Sequence, residues 1–156
     1  MKLTGFNSRL LAGFAVLFLA FFFALSECGA ADMSEPAKGG GPESVKLGDP
    51  GDKIKINDNF YFTWEFDKTP AMGPLVLKIK LYGADKERTT ALVIKGSSDM
   101  PSMRGAHDSG DVEFRLNKKN DYLLPVNVVM PGDWEIRLVF WLNGKSVYHG
   151  SIRFDV

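Results

Sequence analysis

Two methionines and a histidine lie within a segment of nine residues, DMPSMRGAH, which starts at Asp99. Met100, Met103 and His107 are spaced by three and four residues, so one loop can gather their side chains around a single ion. Thioether sulfur is soft and uncharged, which suits Cu(I) better than zinc or magnesium, and imidazole is a natural partner. Met130, in a second methionine-proline pair, adds a third sulfur if its strand end lies beside this loop. The sequence therefore predicts a copper site, as Cu(I), made of Met100, Met103, His107 and Met130.

Two other interpretations of these residues stay open on sequence alone. Methionine often fills irregular gaps in cores, so the same side chains can simply close the open end of a β-structure. Ser102, His107 and Asp108 are the residue types of a catalytic triad, although nearness in a loop does not establish its geometry. Neither a Gly-x-Ser-x-Gly elbow nor a His-Glu-x-x-His motif occurs, and we expect no enzymatic activity.

The first 30 residues have the layout of a secretory signal peptide. Lys2 and Arg9 precede an apolar stretch, residues 10–25, and small residues such as Ala30 follow it. This stretch is shorter than the roughly 20 residues that a membrane-spanning helix needs. We therefore predict a signal peptide over residues 1–30 and a periplasmic or secreted protein, with an uncleaved membrane anchor as the alternative.

The only cysteine, Cys28, lies at the end of this segment. The run from Leu25 to Cys28 resembles a bacterial lipoprotein box, in which the cysteine is lipidated, except that Glu27 stands where the box has a small residue. If Cys28 leaves with the signal peptide, the mature chain has no disulfide and no thiolate metal ligand. Lipidation of Cys28 and its removal with the signal peptide both stay open. If Cys28 is removed, the domain is stabilised by its core alone.

The charge balance of the chain is close to neutral. Lys2, Arg9 and Glu27 are the charged residues of the first 30, so the 19 basic and 19 acidic side chains of the whole chain fall to 17 and 18 after cleavage. No basic surface is implied, and nucleic acid is not an expected partner. The oligomeric state does not follow from the sequence.

Residues 31–52 are rich in Gly, Pro, Ser, Glu and Lys and have almost no aromatic or branched apolar content. Such a composition cannot bury enough apolar surface to fold, so we predict a flexible linker here. Residues 53–156 then form a single domain of about 100 residues, a size that is typical of one core.

Apolar side chains recur with a period of two through this domain, which predicts strands rather than helices. The predicted strands cover residues 60–66, 75–82, 89–95, 112–116, 122–130, 134–141 and 148–156. Asn143-Gly144 supplies the positive φ angles of a type I′ hairpin turn, and Pro125 indicates an edge position or a bulge. Residues 96–111 are predicted to form one long loop, which carries three of the four candidate ligands.

These short strands, separated by regular turn signals, predict an all-β fold. We expect an immunoglobulin-like antiparallel β-sandwich of seven to eight strands, with aromatic and leucine side chains filling the space between two sheets.

The segment from Met72 to Trp134 resembles the YtkA-like and FixH-like periplasmic domains. The resemblance is carried by Gly73-Pro74 before an alternating strand, by the loop Asp99-Met100-Pro101-Ser102-Met103 with His107, by Tyr122, and by Met130-Pro131-Gly132-Asp133-Trp134. It implies an immunoglobulin-like sandwich outside the cytoplasm. It also implies a link to copper handling or to the assembly of respiratory oxidases.

Two functions are therefore expected from the sequence. In the first, an exported, non-enzymatic domain binds Cu(I) through the methionine and histidine loop. In the second, the domain is a protein-interaction module of the cell envelope that carries no metal and docks on an envelope or respiratory membrane protein. Trp141 and Tyr61, which are predicted to face away from the core, are the candidate contacts of the second function, and His149 is expected to face solvent.

Overall fold

A computed structural model describes residues 44–156 of the chain. The predicted signal peptide, Cys28 and the first part of the predicted linker lie outside the described residues. Ten strands form the domain: β1 Val45–Lys46, β2 Ile54–Lys55, β3 Phe60–Phe66, β4 Gly73–Gly83, β5 Val93–Asp99, β6 Val112–Glu113, β7 Arg115–Leu116, β8 Tyr122–Val128, β9 Asp133–Leu142 and β10 Lys145–Asp155. The only helical element in this part of the chain is a single 3₁₀ turn, Pro101–Met103. Within residues 44–156, no helix has the length and apolar character required to cross a membrane.

The strands form two sheets of five, which we call sheet A and sheet B. Sheet A has the order β1-β10-β9-β5-β6, and sheet B has the order β2-β3-β4-β8-β7. All pairs are antiparallel except β1 with β10, which is parallel. The predicted all-β sandwich is confirmed, with ten strands instead of seven to eight, because β1 and β2 precede the first predicted strand and the predicted strand 112–116 divides into β6 of sheet A and β7 of sheet B. The immunoglobulin-like connectivity stays a prediction.

Alternation along the longest strands explains why the two sheets pack together. In β4 every second residue from Leu75 to Leu81 is fully buried, and in β9 the same holds from Trp134 to Phe140. Phe62 of sheet B and Phe140 of sheet A meet in the middle of the sandwich, with 4.6 Å between their ring centroids. The core between the sheets is therefore aromatic and aliphatic, as predicted.

The structure begins its sheets earlier in the chain than the sequence predicted. β1 pairs with Gly150 and Ser151 of β10, and Leu47 belongs to the core at 8% exposure. Sheet A thus takes in residues that the composition had assigned to the linker over 31–52. A single buried leucine and two backbone pairings leave little trace in a Gly- and Pro-rich composition.

The prediction for β5 is displaced along the chain. The sequence placed a strand at residues 89–95 and a loop at 96–111, whereas β5 runs from Val93 to Asp99 and the loop is shorter. Gly96, Ser97, Ser98 and Asp99 are weak strand formers, but β9 lies alongside them and supplies the backbone partners. Tertiary pairing therefore overrides the local preference of these four residues.

Pro125 behaves as the sequence predicted. β8 pairs with β4 along its whole length, but β7 pairs only with Tyr122 and Leu123. Pro125 faces Val76 on the β4 side and lies beyond the end of β7, so its missing N–H removes no ladder hydrogen bond there.

Strand directions bring the candidate residues to one end of the sandwich. The ends of β5 and β8 and the start of β9 lie at this end, because β5 and β9 are antiparallel and a four-residue connection joins β8 to β9. We call this end, formed by Met100, Met103, His107, Met130 and Trp134, the methionine rim. We call residues 100–111, which connect β5 to β6, the rim loop.

Candidate functional site

Trp134 is the centre around which the methionine rim is built. It is the first inward-facing residue of β9 and is 1% exposed. Its indole Nε1 donates a hydrogen bond of 3.1 Å to the backbone carbonyl of Met130, and the His107 ring lies with its centroid 6.3 Å from the indole ring. Two of the predicted ligand residues are therefore held beside the same aromatic side chain.

Met100 reaches the same place from the end of β5. Its side chain is 2% exposed and belongs to the core, and its Cε is so close to Gly132 that a Cβ there would lie 2.9 Å from it. Gly132 also has a φ of +133°, which a residue with a side chain rarely adopts. Glycine at this position thus lets Met100 pack under the connection that carries Met130.

Met103 has a different environment from Met100. It ends the 3₁₀ turn, donates its backbone N–H to the carbonyl of Met100 at 2.9 Å and leaves 45% of its surface exposed. The rim therefore presents one buried thioether, one exposed thioether and, at Met130, one that is half-buried against the core. The buried position of Met100 agrees with the gap-filling interpretation for that residue, whereas the exposure of Met103 does not.

Three carboxylates hold the first half of the rim loop in place. Asp99 accepts hydrogen bonds from the backbone N–H groups of Met100, at 2.8 Å, and Gly105, at 3.1 Å. Asp133, at the start of β9, accepts from the backbone N–H and the hydroxyl of Ser102. The Ser102 hydroxyl thus donates its hydrogen bond to Asp133, so the grouping of Ser102 with His107 and Asp108 is not the arrangement that forms.

The third carboxylate, Glu135, is buried on the outer face of sheet A. Its side chain is 4% exposed and lies between two arginines, with Arg153 Nε at 2.8 Å and Arg104 Nη2 at 3.0 Å. Arg153 comes from the neighbouring strand β10, whereas Arg104 comes from the rim loop itself. A second pair, Arg137 with Asp108 at 3.5 Å, lies on the far side of the loop.

Two of these carboxyl groups have shifted pKa values. Burial alone raises the pKa of Glu135, but the hydrogen bonds and charges of Arg153 and Arg104 outweigh it and lower the pKa below the ordinary value. The hydrogen bond from the Ser102 hydroxyl lowers the pKa of Asp133. Both groups are therefore ionised at neutral pH and are occupied by loop donors, so they serve as anchors of the loop.

The metal ligands at the rim that are not already engaged in holding the loop are soft. Within the described part of the chain, no group of three or more histidine, cysteine or carboxylate side chains is placed to hold a metal ion. A metal at the rim would depend on the sulfurs of Met100, Met103 and Met130, with His107 as the nitrogen ligand. This set suits Cu(I) and is poor for zinc, calcium or magnesium.

The outer faces carry the residues predicted for the alternative function. Trp141 of β9 pairs with Val93 of β5, on the face away from the core, and Lys95 Nζ lies 5.9 Å from its ring centroid. Tyr61 stacks on Tyr82 on the outer face of sheet B, with 4.8 Å between the ring centroids. Both residues lie outside the core cluster, as the alternation predicted.

His149 also lies on the outer face of sheet A. It pairs with Val139 of the neighbouring strand β9 and is half-buried, so its exposure to solvent is partial. It lies in the middle of β10, away from the rim loop, and takes no part in the candidate site.

Sequence reasoning missed Met72. β4 begins at Gly73, which pairs with Val128, so Met72 lies at the same end of the sandwich as Met130 and is 59% exposed. All four methionines after residue 43 therefore lie at this end. The available signal was the junction Met72-Gly73-Pro74, which has the same residue types as Met130-Pro131-Gly132.

Comparisons with protein-family models, with curated proteins and with solved structures find no match to this chain. The resemblance to YtkA-like and FixH-like domains stays a prediction.

Proposed function

We propose that this protein binds one Cu(I) ion at the methionine rim and acts in copper handling or oxidase assembly in the cell envelope, without enzymatic activity. Met100, Met103 and Met130 supply the sulfur ligands, and His107 supplies the nitrogen ligand. The observation that carries the proposal is that two separate segments meet at one end of the sandwich: Met100 packs against Gly132, His107 lies beside Trp134, and the Met130 carbonyl accepts a hydrogen bond from Trp134.

The environment of the rim favours a soft monovalent ion. The nearest carboxylates are used by the loop donors, so few hard oxygen ligands compete for the ion. The face of an indole beside the ligands attracts a cation through its ring quadrupole. Met103 is exposed, which gives an incoming ion a first thioether to contact before the buried Met100.

Cu(I) titration of the full chain, with a chromophoric Cu(I) chelator as competitor, tests this proposal. We expect saturable binding near one equivalent, together with a change in tryptophan fluorescence that comes from Trp134. The double variant Met103→Ala/His107→Ala should lose saturable binding because it lacks two of the four ligands. Equal affinities of the wild type and the double variant would overturn the proposal.

Met72→Ala provides the matched control. Met72 lies at the same end and is a methionine, but the register puts it opposite Val129, at the position that alternates with the inward-facing residues of β4. Its removal should leave the affinity unchanged. A loss as large as that in the double variant would mean that any exposed thioether at this end binds copper, and that no defined site exists.

The alternative function is an interaction module, and the position of Trp141 favours it. Trp141 lies on the outer face of sheet A, outside the core cluster, and the neighbouring Val93 is 44% exposed. We propose as the second candidate that this face docks on a membrane protein of the envelope. Cross-linking in native membranes should then give a product that survives Met103→Ala/His107→Ala and is lost on Trp141→Ala.

A further inference from the structure

The rim loop is held on the sheet by side chains that lie outside residues 100–111. Met100, Ser102 and Gly105 donate their backbone N–H groups to Asp99 or Asp133, as described above. These bonds fix the path of the backbone from the end of β5 through the 3₁₀ turn to Gly105. The N–H of Ala106 also donates to the Met103 carbonyl at 3.0 Å, but none of these bonds joins the segment after Met103, which leads to His107, to β9.

Two charged pairs with β9 bracket that segment. Glu135 binds Arg104 at 3.0 Å, and Arg137 lies 3.5 Å from Asp108. Residues 135 and 137 are consecutive outward-facing positions of β9, and residues 104 and 108 flank Gly105, Ala106 and His107. The charges of β9 are thus complementary to those of the loop at both ends of the segment that carries the histidine.

Glu135 is the firmer of the two anchors. Its carboxylate is 4% exposed, and its backbone pairs with Arg153 of β10 on one side and Asp99 of β5 on the other, so its position is set by the backbone of sheet A. Arg104 has 51% of its side chain exposed, and Glu135 is the group that fixes it. Because Arg104 follows Met103 directly, the pair fixes the loop at the residue next to a candidate ligand.

We propose that Glu135 is a positioning residue for copper, which acts through Arg104 to preset the rim loop before the ion binds. This inference rests on the proposed function. A preset loop loses little conformational freedom on binding, so the entropic cost of ordering the chain does not lower the affinity. Groups that orient metal ligands without touching the metal typically change affinity by about 10- to 100-fold.

Arg104→Ala and Arg153→Ala form a matched pair for the test. Both remove an arginine from Glu135, and the two side chains are similarly exposed, at 51% and 55%. Only Arg104 belongs to the rim loop. Arg104→Ala should therefore weaken Cu(I) binding by the full chain by about tenfold, whereas Arg153→Ala should leave the affinity unchanged.

Glu135→Gln and Arg104→Ala together form a double-mutant cycle. We expect Glu135→Gln to weaken Cu(I) binding about as much as Arg104→Ala does, and we expect the double variant to be no weaker than either single variant, because all three lose the same contact. Glu65→Gln is the control on the other sheet. Glu65 also lies between two cations, Lys78 at 3.2 Å and Lys80 at 3.0 Å, but none of the three belongs to the rim loop.

A readout without copper shows whether the loop is preset. In the metal-free protein, Arg104→Ala should speed amide hydrogen exchange at Gly105 and Ala106, whereas Arg153→Ala should not. Faster exchange together with weaker binding supports the proposal. Equal affinities or equal exchange in the two arginine variants would overturn the positioning role while the copper site stands. Absence of saturable binding by the wild type would overturn both inferences.

Discussion

The two ends of this sandwich are closed in different ways. At the methionine rim, the loop is held by residues far away in the sequence: Ser102 binds Asp133, and Arg104 binds Glu135, each across 31 positions. At the opposite end, two of the turns are held by their own residues, and one distant pair, Arg88 with Asp121 at 2.7 Å, joins the connection before β5 to the turn before β8. Asn57 accepts from the backbone of Asn59 and Phe60, and the hairpin between β9 and β10 consists of two residues.

This difference separates the short local turns from the rim loop, whose path depends on residues far away in the sequence. A short turn needs only the right local φ angles and costs little ordering entropy. A loop of twelve residues that is held through buried carboxylates requires an arrangement of charges that a simple connection does not need. The methionine rim therefore combines distant anchors with candidate ligands, whereas the Arg88–Asp121 pair at the opposite end joins two connections that contain neither methionine nor histidine.

The largest effect should come from the aromatic centre of the rim. Trp134→Ala removes a side chain that is 1% exposed and the hydrogen bond to Met130, and it should lower the free energy of unfolding by about 3–5 kcal/mol. Urea unfolding followed by circular dichroism measures this loss. Trp141→Ala, on the outer face, should cost much less; equal losses would contradict the assignment of Trp134 to the core.

The two methionines of the rim loop should differ nearly as much. Met100→Ala empties a buried position and should cost about 2–4 kcal/mol in the free energy of unfolding. Met103→Ala changes a side chain that is 45% exposed and should change stability by about 0.5 kcal/mol or less. Urea unfolding of both variants checks the contrast. A similar cost at both positions would mean that Met103 is also a packing residue, which would weaken its role as an exposed ligand.

What the sequence could predict follows the same division between the two ends. Asn143-Gly144 was predicted correctly as a hairpin turn, because Asn143 has a φ of 49° and Gly144 a φ of 78°, and local sequence sets these angles. The strand character of Ser97 and Ser98 could not be predicted, since it comes from pairing with β9. The anchoring of Arg104 by Glu135 was equally invisible, because the partners are separated by 31 positions.

The convergence at the rim was predictable only in part. The residue types and short spacing of Met100, Met103 and His107 were enough to suggest a site. The position of Met130 at the same end of the sandwich depends on how β8 connects to β9 across the two sheets, which period-two alternation does not reveal. Met72 was missed because its position follows from the register of β4 with β8.

Glu135 should make the rim sensitive to acid. Its pKa is lowered in the folded protein from an ordinary value of 4.5, so its stabilising contribution is complete above that value and is lost as the pH falls through the lower, folded value. Glu135→Gln should cost about 1–2 kcal/mol at pH 7, and the difference from the wild type should shrink below about pH 4.5. Urea unfolding at pH 7 and pH 3 measures it. A difference that is constant with pH would show that ionisation of Glu135 does not contribute.

The smallest effect should come from the opposite end, where Gly144→Ala tests the independence of the two ends. A Cβ at Gly144 would meet nothing within 4 Å, so the substitution adds only the strain of a positive φ, about 1 kcal/mol in the free energy of unfolding. Gly132→Ala at the rim adds the same kind of strain and a 2.9 Å approach to Met100. Amide exchange should therefore increase in the rim loop for Gly132→Ala alone. If Gly144→Ala increased it as well, the ends would be coupled through the sheets, and the rim loop could not be treated as a separately anchored unit.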